Sequence, residues 1–126
     1  MTIGKFTKQY ESGIYVFLRL VVGLFFFLHG YGKFTTGAEG LFLAAGYVEV
    51  VVGALIFLGL FTRLGGLAGA VTMLVAFFSV HAKDGLNPMT NGGEMAVIYF
   101  LLFLVIMVHG NGMWSLEKKL MNKETF

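Results

Sequence analysis

Long apolar runs alternate with short polar intervals along the whole chain. Four runs come near the roughly 20 residues that a bilayer-spanning helix needs. With their flanks they give spans of approximately 13–32, 38–61, 64–81 and 94–112. The third is short for a full crossing, so its ends are expected to reach the interface. The intervals are too short to be linkers, and 1–126 reads as one domain, an all-α transmembrane four-helix bundle. Thr36-Gly37-Ala38-Glu39 has the T-x-x-E form of a capping box and would open the second helix. Asn91-Gly92-Gly93-Glu94 is an analogous N-x-x-E for the fourth, preceded by Asn87 and Pro88, which resist helix. Gly59-Leu60-Phe61-Thr62-Arg63 is a tight turn that makes helices two and three antiparallel neighbours. After Trp114, Ser115 would cap a short amphipathic helix that lays Leu116, Leu120 and Met121 on the membrane surface.

Composition strengthens the membrane reading. Hydrophobic residues make up 57% of the chain and charged residues 13%, with a mean hydropathy of +0.81. A soluble domain carries about 25% charged residues, so lipid must be the solvent for much of this surface. The first run holds Arg19 and His29 and lacks a small-x-small site, so it does not read as a cleavable signal peptide. With both termini inside, six basic residues (Lys5, Lys8, Arg63, Lys118, Lys119, Lys123) lie on the cytoplasmic side against two, Lys33 and Lys83, outside. That bias orients a multi-pass protein with N and C termini cytoplasmic, and the plasma membrane of a bacterium or archaeon is the expected location. Cysteine is absent, which removes disulfides, thiolate metal sites and thiol redox chemistry. A net charge of +2 without a basic cluster excludes nucleic acid as a partner.

Gly65, Gly69, Thr72, Ala76 and Ser79 form a stripe of small residues on the third helix, which reads as helix packing. Ionisable residues inside spans cost several kcal/mol unless paired, and so they are candidates for function. Arg19 lies two turns into helix one from the inside, and Glu49 two turns into helix two from the outside. Their Cα atoms would differ in depth by roughly 10 Å at 1.5 Å per residue. A buried Arg19–Glu49 pair is therefore expected, with Gly46 and Gly53 leaving room for the guanidinium. It would either fix helix register or orient a ligand headgroup.

His29, Lys33, His81 and Glu94 all fall at the outer level of the bundle and could converge. A His or Lys donor beside aromatic walls, here Phe25, Phe26, Phe27 and Tyr99, suits a quinone carbonyl. His29 and His81 would also suit a metal or a haem, the less expected ligands, and no metal site is assigned. Against convergence, Glu94 could serve only as the capping partner of Asn91, and His81 faces nearly opposite the small stripe. His109, alone at the inner end of helix four, reads as interfacial.

Together these segments resemble the DoxX family. Arg19-Leu20-Val21-Val22-Gly23-Leu24-Phe25-Phe26-Phe27-Leu28-His29-Gly30-Tyr31-Gly32-Lys33 is similar to its first-helix pattern R-L-x-x-G-x-x-F-x-x-H-G-x-x-K. Glu49 stands where its second helix carries an acidic residue, followed by the G-L-F-T-R turn at 59–63. His81 and Asn91-Gly92-Gly93-Glu94 match the later motifs, and Gly110 to Glu117 resembles G-x-G-x-x-S-L-D with Glu at the last place. The resemblance implies a four-helix membrane fold. It also implies kinship with membrane subunits of thiosulfate:quinone oxidoreductases, with other redox-stress complexes, and more distantly with assembly factors.

The expectation is a membrane subunit of a quinone-linked oxidoreductase, in which His29, Lys33, His81 and Glu94 hold a quinone or small oxyanion. With no cysteine and no flavin or iron–sulfur motif, the chain would not carry electrons alone. A partner subunit or a homo-oligomer is therefore expected. The competing expectation is a non-catalytic anchor or assembly factor whose polar residues only specify helix packing.

Overall fold

The apolar runs fold as helices, and in the computed structural model residues 2–122 are described. Among them α2 (Glu11–Thr35), α3 (Leu41–Leu58), α4 (Thr62–Ala76) and α6 (Glu94–His109) are the four long apolar helices. α1 (Ile3–Lys8) precedes them, capped by the Thr2 hydroxyl, and α7 (Leu116–Met121) follows. The α4 backbone runs on through a π turn, Phe77–His81, and a 3-10 turn, Ala82–Asp84, before the single turn of α5 (Pro88–Asn91). Both ends of the described chain and the 59–61 turn lie at one end of the molecule, the termini end. The 36–40 turn and the 82–93 loop make the opposite, loop end.

Three continuous helical stretches are long and apolar enough to cross a membrane: Glu11–Thr35, Leu41–Leu58 and Thr62–Asp84, of 25, 18 and 23 residues. The third crossing is thus not the short one, because the π and 3-10 turns extend it. The short helix is α6, with 16 residues. Leu24, Phe25, Val51, Val71, Leu74, Leu101 and Val105 are all exposed on these helices. An apolar surface this continuous on a soluble monomer would drive association. Here it meets lipid, and the chain is a multi-pass membrane protein.

In lipid, helices gain little from hydrophobic burial and depend on close van der Waals packing. The most extensive contact joins α2 to α3, followed by α4 to α6. Glycines bring the first pair together backbone to backbone. A Cβ at Gly23 would meet Phe57 N and Gly53 O, and one at Gly30 would meet Gly46 O and Val50 N. The second pair is built likewise, with Gly66 against the backbone of Phe103 and Met107 and Gly69 under the Phe103 ring. Phe26, Ile56, Phe103 and Ile106 fill the centre, with the Phe26 and Phe103 rings edge to face at 4.7 Å.

The helix starts differ from the sequence expectation. Thr36 closes α2, its hydroxyl donating to Gly32 O, and α3 begins later, at a Gly40 cap with φ 61°. Asn91 accepts from the Gly93 amide and donates to Gly85 O, so it braces the loop while Gly93 takes the cap position. Ser115 does cap α7 as expected, accepting from the Lys118 amide.

Arg19 does not pair with Glu49. Its side chain is fully buried at the termini end, among the carbonyls that end α3 and follow α6. Nη1 donates to Asn111 O (2.5 Å) and Met113 O (2.9 Å), and Nη2 to Trp114 O (2.7 Å) and Phe57 O (3.4 Å). The last carbonyls of a helix have no partner within it, and lipid offers none. A guanidinium supplies several donors in one plane and suits the negative end of the helix dipole. Arg63 completes the arrangement on α6, donating to Val108 O (2.5 Å), Met107 O (3.2 Å) and His109 O (3.4 Å). The chain after α6 is then folded back under the helices. Ser115 Oγ donates to Gly59 O, and the buried Glu117 accepts from the Phe61 amide. Gly59 permits this, with φ 68° and no side chain, since a Cβ would press on Ser115 Cα and on the Arg19 guanidinium.

Gly53→Leu forces the α2 and α3 backbones apart, and overpacking of this kind costs about 1–3 kcal/mol. A fall in melting temperature of the detergent-purified protein is the expected result. Arg19→Met strands buried carbonyls at about 1–3 kcal/mol each, and Arg19→Lys should not rescue it, since an ammonium lacks the planar fork. Faster hydrogen exchange and proteolysis confined to 110–121 would mark the loss of this anchor.

Candidate functional site

α3 and α4 meet at the termini end, where Gly65 lies against Ile56. Toward the loop end the space between the two helix pairs is a cavity of about 460 Å³. The small stripe of α4 changes role along its length. Gly65 and Gly69 pack against neighbours, whereas Thr72, Ala76 and Ser79 line the cavity, so their small side chains there leave space. Leu41, Phe42, Val71 and Val75 form walls that are also exposed at the helix surface. The cavity therefore opens sideways, between α3 and α4, toward the region that lipid occupies. Its volume falls within the roughly 300–1,000 Å³ of small-molecule sites.

Its polar centre is an ion pair. Lys33 Nζ donates to Glu49 Oε2 at 2.6 Å, with the carboxylate side chain 7% exposed. Glu49 takes this partner because of the α2–α3 register. Gly30 lies against Glu49 Cβ, so the carboxylate stands level with 29–30 and one turn from Lys33. Arg19 is then some ten residues away along α2, roughly 15 Å at 1.5 Å per residue, which explains why the expected pair does not form. The glycines beside Glu49 admit the α2 backbone, not a guanidinium.

His29, Lys33, Glu49 and His81 all line the cavity. His29 Nδ1 lies 2.8 Å from Phe25 O. A carbonyl only accepts, so Nδ1 carries a hydrogen and Nε2 is the nitrogen left to act on a ligand. Tyr99 meets the His29 ring edge to face at 5.7 Å, and its hydroxyl makes no hydrogen bond among the described residues. His81 reaches the cavity although an unbroken α-helix would turn it away. The π turn adds one residue to the register, rotating the residues beyond it by roughly 100° relative to a 3.6-residue turn.

Glu94 stands apart. It is exposed in the first turn of α6, where a carboxylate favours the helix N-terminus, and it does not line the cavity. Of the expected aromatic walls, Phe26 and Tyr99 are present, but Phe25 and Phe27 are not. Successive helix residues cannot share one face. Thr72 and Ser79 were legible only as packing residues, and Thr72 donates to Ala68 O within its own helix (2.7 Å). No group of three or more metal-ligating His, Asp or Glu occurs among the described residues.

The site has distinct chemical consequences. Lys33 and Glu49 neutralise each other, so the cavity carries no net charge to attract an anion unless a histidine protonates. What it offers is an apolar chamber with donors and acceptors along one wall.

An uncharacterized protein of Haemophilus influenzae is 38% identical over 130 aligned residues, covering 92% of this chain and 97% of the relative. A second from the same organism is 32% identical over 69 residues, covering 55% and 46%. A Bacillus subtilis protein named "Putative oxidoreductase CatD" is 30% identical over 122 residues, covering 87% of this chain and 88% of its own. No solved structure matches the chain. The DoxX family model matches residues 14–82, from the start of α2 through the π turn that brings His81 to the cavity. With that match and a relative similar over nearly its full length, the chain belongs to the DoxX family.

Proposed function

We propose that this protein is a membrane subunit of a quinone-linked oxidoreductase and binds the quinone headgroup in the cavity between the helix pairs. The observation that carries the reading is the sideways opening of an apolar chamber over the Lys33–Glu49 pair. A quinone is neutral and lipid-dissolved, so it would enter from the bilayer, and its carbonyls need donors at one edge of an apolar pocket. Lys33, Tyr99 and His81 are those donors, and Glu49 can pass a proton when the ring is reduced. His29 would join them through Nε2 only as an imidazolium, and otherwise accepts from the reduced ring's hydroxyl. The internal charge balance favours a quinone over a small oxyanion. The oxidoreductase name of the Bacillus subtilis relative agrees with this reading. The electrons would come from a partner subunit, since the sequence holds no cysteine or other carrier motif.

A second reading draws on the same ion pair. Lys33 and Glu49 satisfy each other, as they would in an anchor or assembly factor whose polar groups only fix the register of α2 and α3. The two readings separate on Lys33→Met combined with Glu49→Leu. If the pair serves a ligand, the folded double variant loses bound quinone; if it serves register, quinone is absent from both proteins.

In either case we place four membrane-crossing helices as a bundle with both termini cytoplasmic, in a bacterial plasma membrane. Single cysteines test this in a chain that has none. Glu39→Cys and Lys83→Cys should react with an impermeant reagent added to intact cells, and Lys8→Cys and Lys119→Cys only after lysis. The reverse pattern would invert the protein.

Solvent extraction and mass analysis of the purified protein should yield quinone. His29→Ala should weaken titrated quinone about tenfold, the equivalent of about 1.4 kcal/mol. Melting temperature is a suitable readout, because Trp114 lies at the end opposite the cavity. If no quinone is extracted and none raises the melting temperature, the proposal fails.

A further inference from the structure

A second hollow, of about 870 Å³, lies at the termini end under α7. One side of it is basic, with Lys118, Lys119 and His109, and the Ser12 hydroxyl joins them. The other side is apolar, with Leu20, Phe57 and Leu58, and the last two are exposed. Trp114 stands at its edge, 77% exposed and held at φ 56°, a conformation that a bulky residue rarely adopts. Among the described residues the charges here are not cancelled as they are in the other cavity. Glu117 neighbours both lysines in sequence but is turned inward and buried, its carboxylate taken by the Phe61 amide. Glu11 is exposed beside Ser12 and does not line the hollow. Arg19 lines it from beneath, fully buried, with its Nε lacking any hydrogen-bond partner.

A cleft that is basic on one side, apolar on the other and open at the level of an interfacial helix matches one kind of molecule. We infer that it binds an anionic phospholipid. The phosphate would lie against Lys118, Lys119 and Ser12, the acyl chains along Phe57 and Leu58, and Trp114 at the headgroup level where its ring is favoured. The site is separate from the quinone cavity and does not depend on it. It would add a membrane-charge requirement to the anchoring of the chain after α6.

Trp114 is the only tryptophan, so it reports on this cleft without labelling. The full chain in neutral detergent is titrated with short-chain phosphatidylglycerol, with phosphatidylcholine of equal chain length, and with inorganic phosphate. Phosphatidylglycerol should shift Trp114 emission to shorter wavelength and raise the melting temperature. Phosphatidylcholine should act roughly 30-fold more weakly, as two lysines near a charged surface imply, and phosphate should have no effect in the same range. Both lysines are exposed, and K118Q/K119Q should melt like the native chain without lipid while losing the preference for phosphatidylglycerol. K118R/K119R should keep it. Equal responses to the two lipids, an unchanged preference in K118Q/K119Q, or saturable binding of phosphate alone would each overturn the assignment.

Discussion

A helix that ends in a membrane leaves carbonyl oxygens with no water to accept from, and this chain answers that constraint with arginine. Arg19 reaches across from α2 to one carbonyl in the last turn of α3 and three beyond α6, and Arg63 takes three at the end of α6. The consequences extend over half the molecule. Arg19 holds the residues after His109 through three of their carbonyls, and the Tyr15 hydroxyl adds a bond to Gly110 O. Once held, these residues bring Ser115 and Glu117 against the 59–61 turn, where α4 leaves α3. A buried cation spent on neutral carbonyls is an unusual use of charge. It is reasonable where the alternative is unsatisfied backbone in hydrocarbon.

The opposite end is organised by space. Glycines seal α2 to α3 and α4 to α6, and the residues between the two pairs at the loop end are small enough to leave a chamber. One fully neutralised ion pair sits in that chamber, so the protein keeps charge in the membrane without a net field. The two ends thus use their ionisable groups in opposite ways. At one end charge closes the backbone; at the other it lines an opening.

Much of this could be read from the sequence. Apolar runs, the 59–63 turn, the Ser115 cap and family membership followed from patterns that are local along the chain. His29, Lys33, Glu49 and His81 were identified as candidates because any ionisable group within a span stands out. Their pairings were not legible, because a pairing depends on the register between helices. That register was set by Gly23 and Gly30 on α2, whose partners lie on another helix and leave no local trace. The π turn at Phe77–His81 was equally hidden, since no residue in FFSVH distinguishes an i→i+5 bond from an ordinary one. Glu94 was misplaced for another reason. It was grouped with the others by its depth at the outer level of the bundle, and depth alone does not fix the direction in which a side chain points.

The two helix pairs pack closely at the termini end and meet toward the loop end through the Phe26, His29 and Tyr99 rings, an arrangement like a pair of tweezers. From Gly65 to Ser79, α4 is an arm of roughly 21 Å at 1.5 Å per residue. A rotation of about 5° at the 59–61 turn would carry its far end by roughly 2 Å, comparable to the difference between admitting a planar ring and excluding one. The width of the chamber would therefore respond to the angle at the 59–61 turn, which lies at a distance from it. Any protein or lipid that grips the chain after α6 has its hand on the other end of the lever.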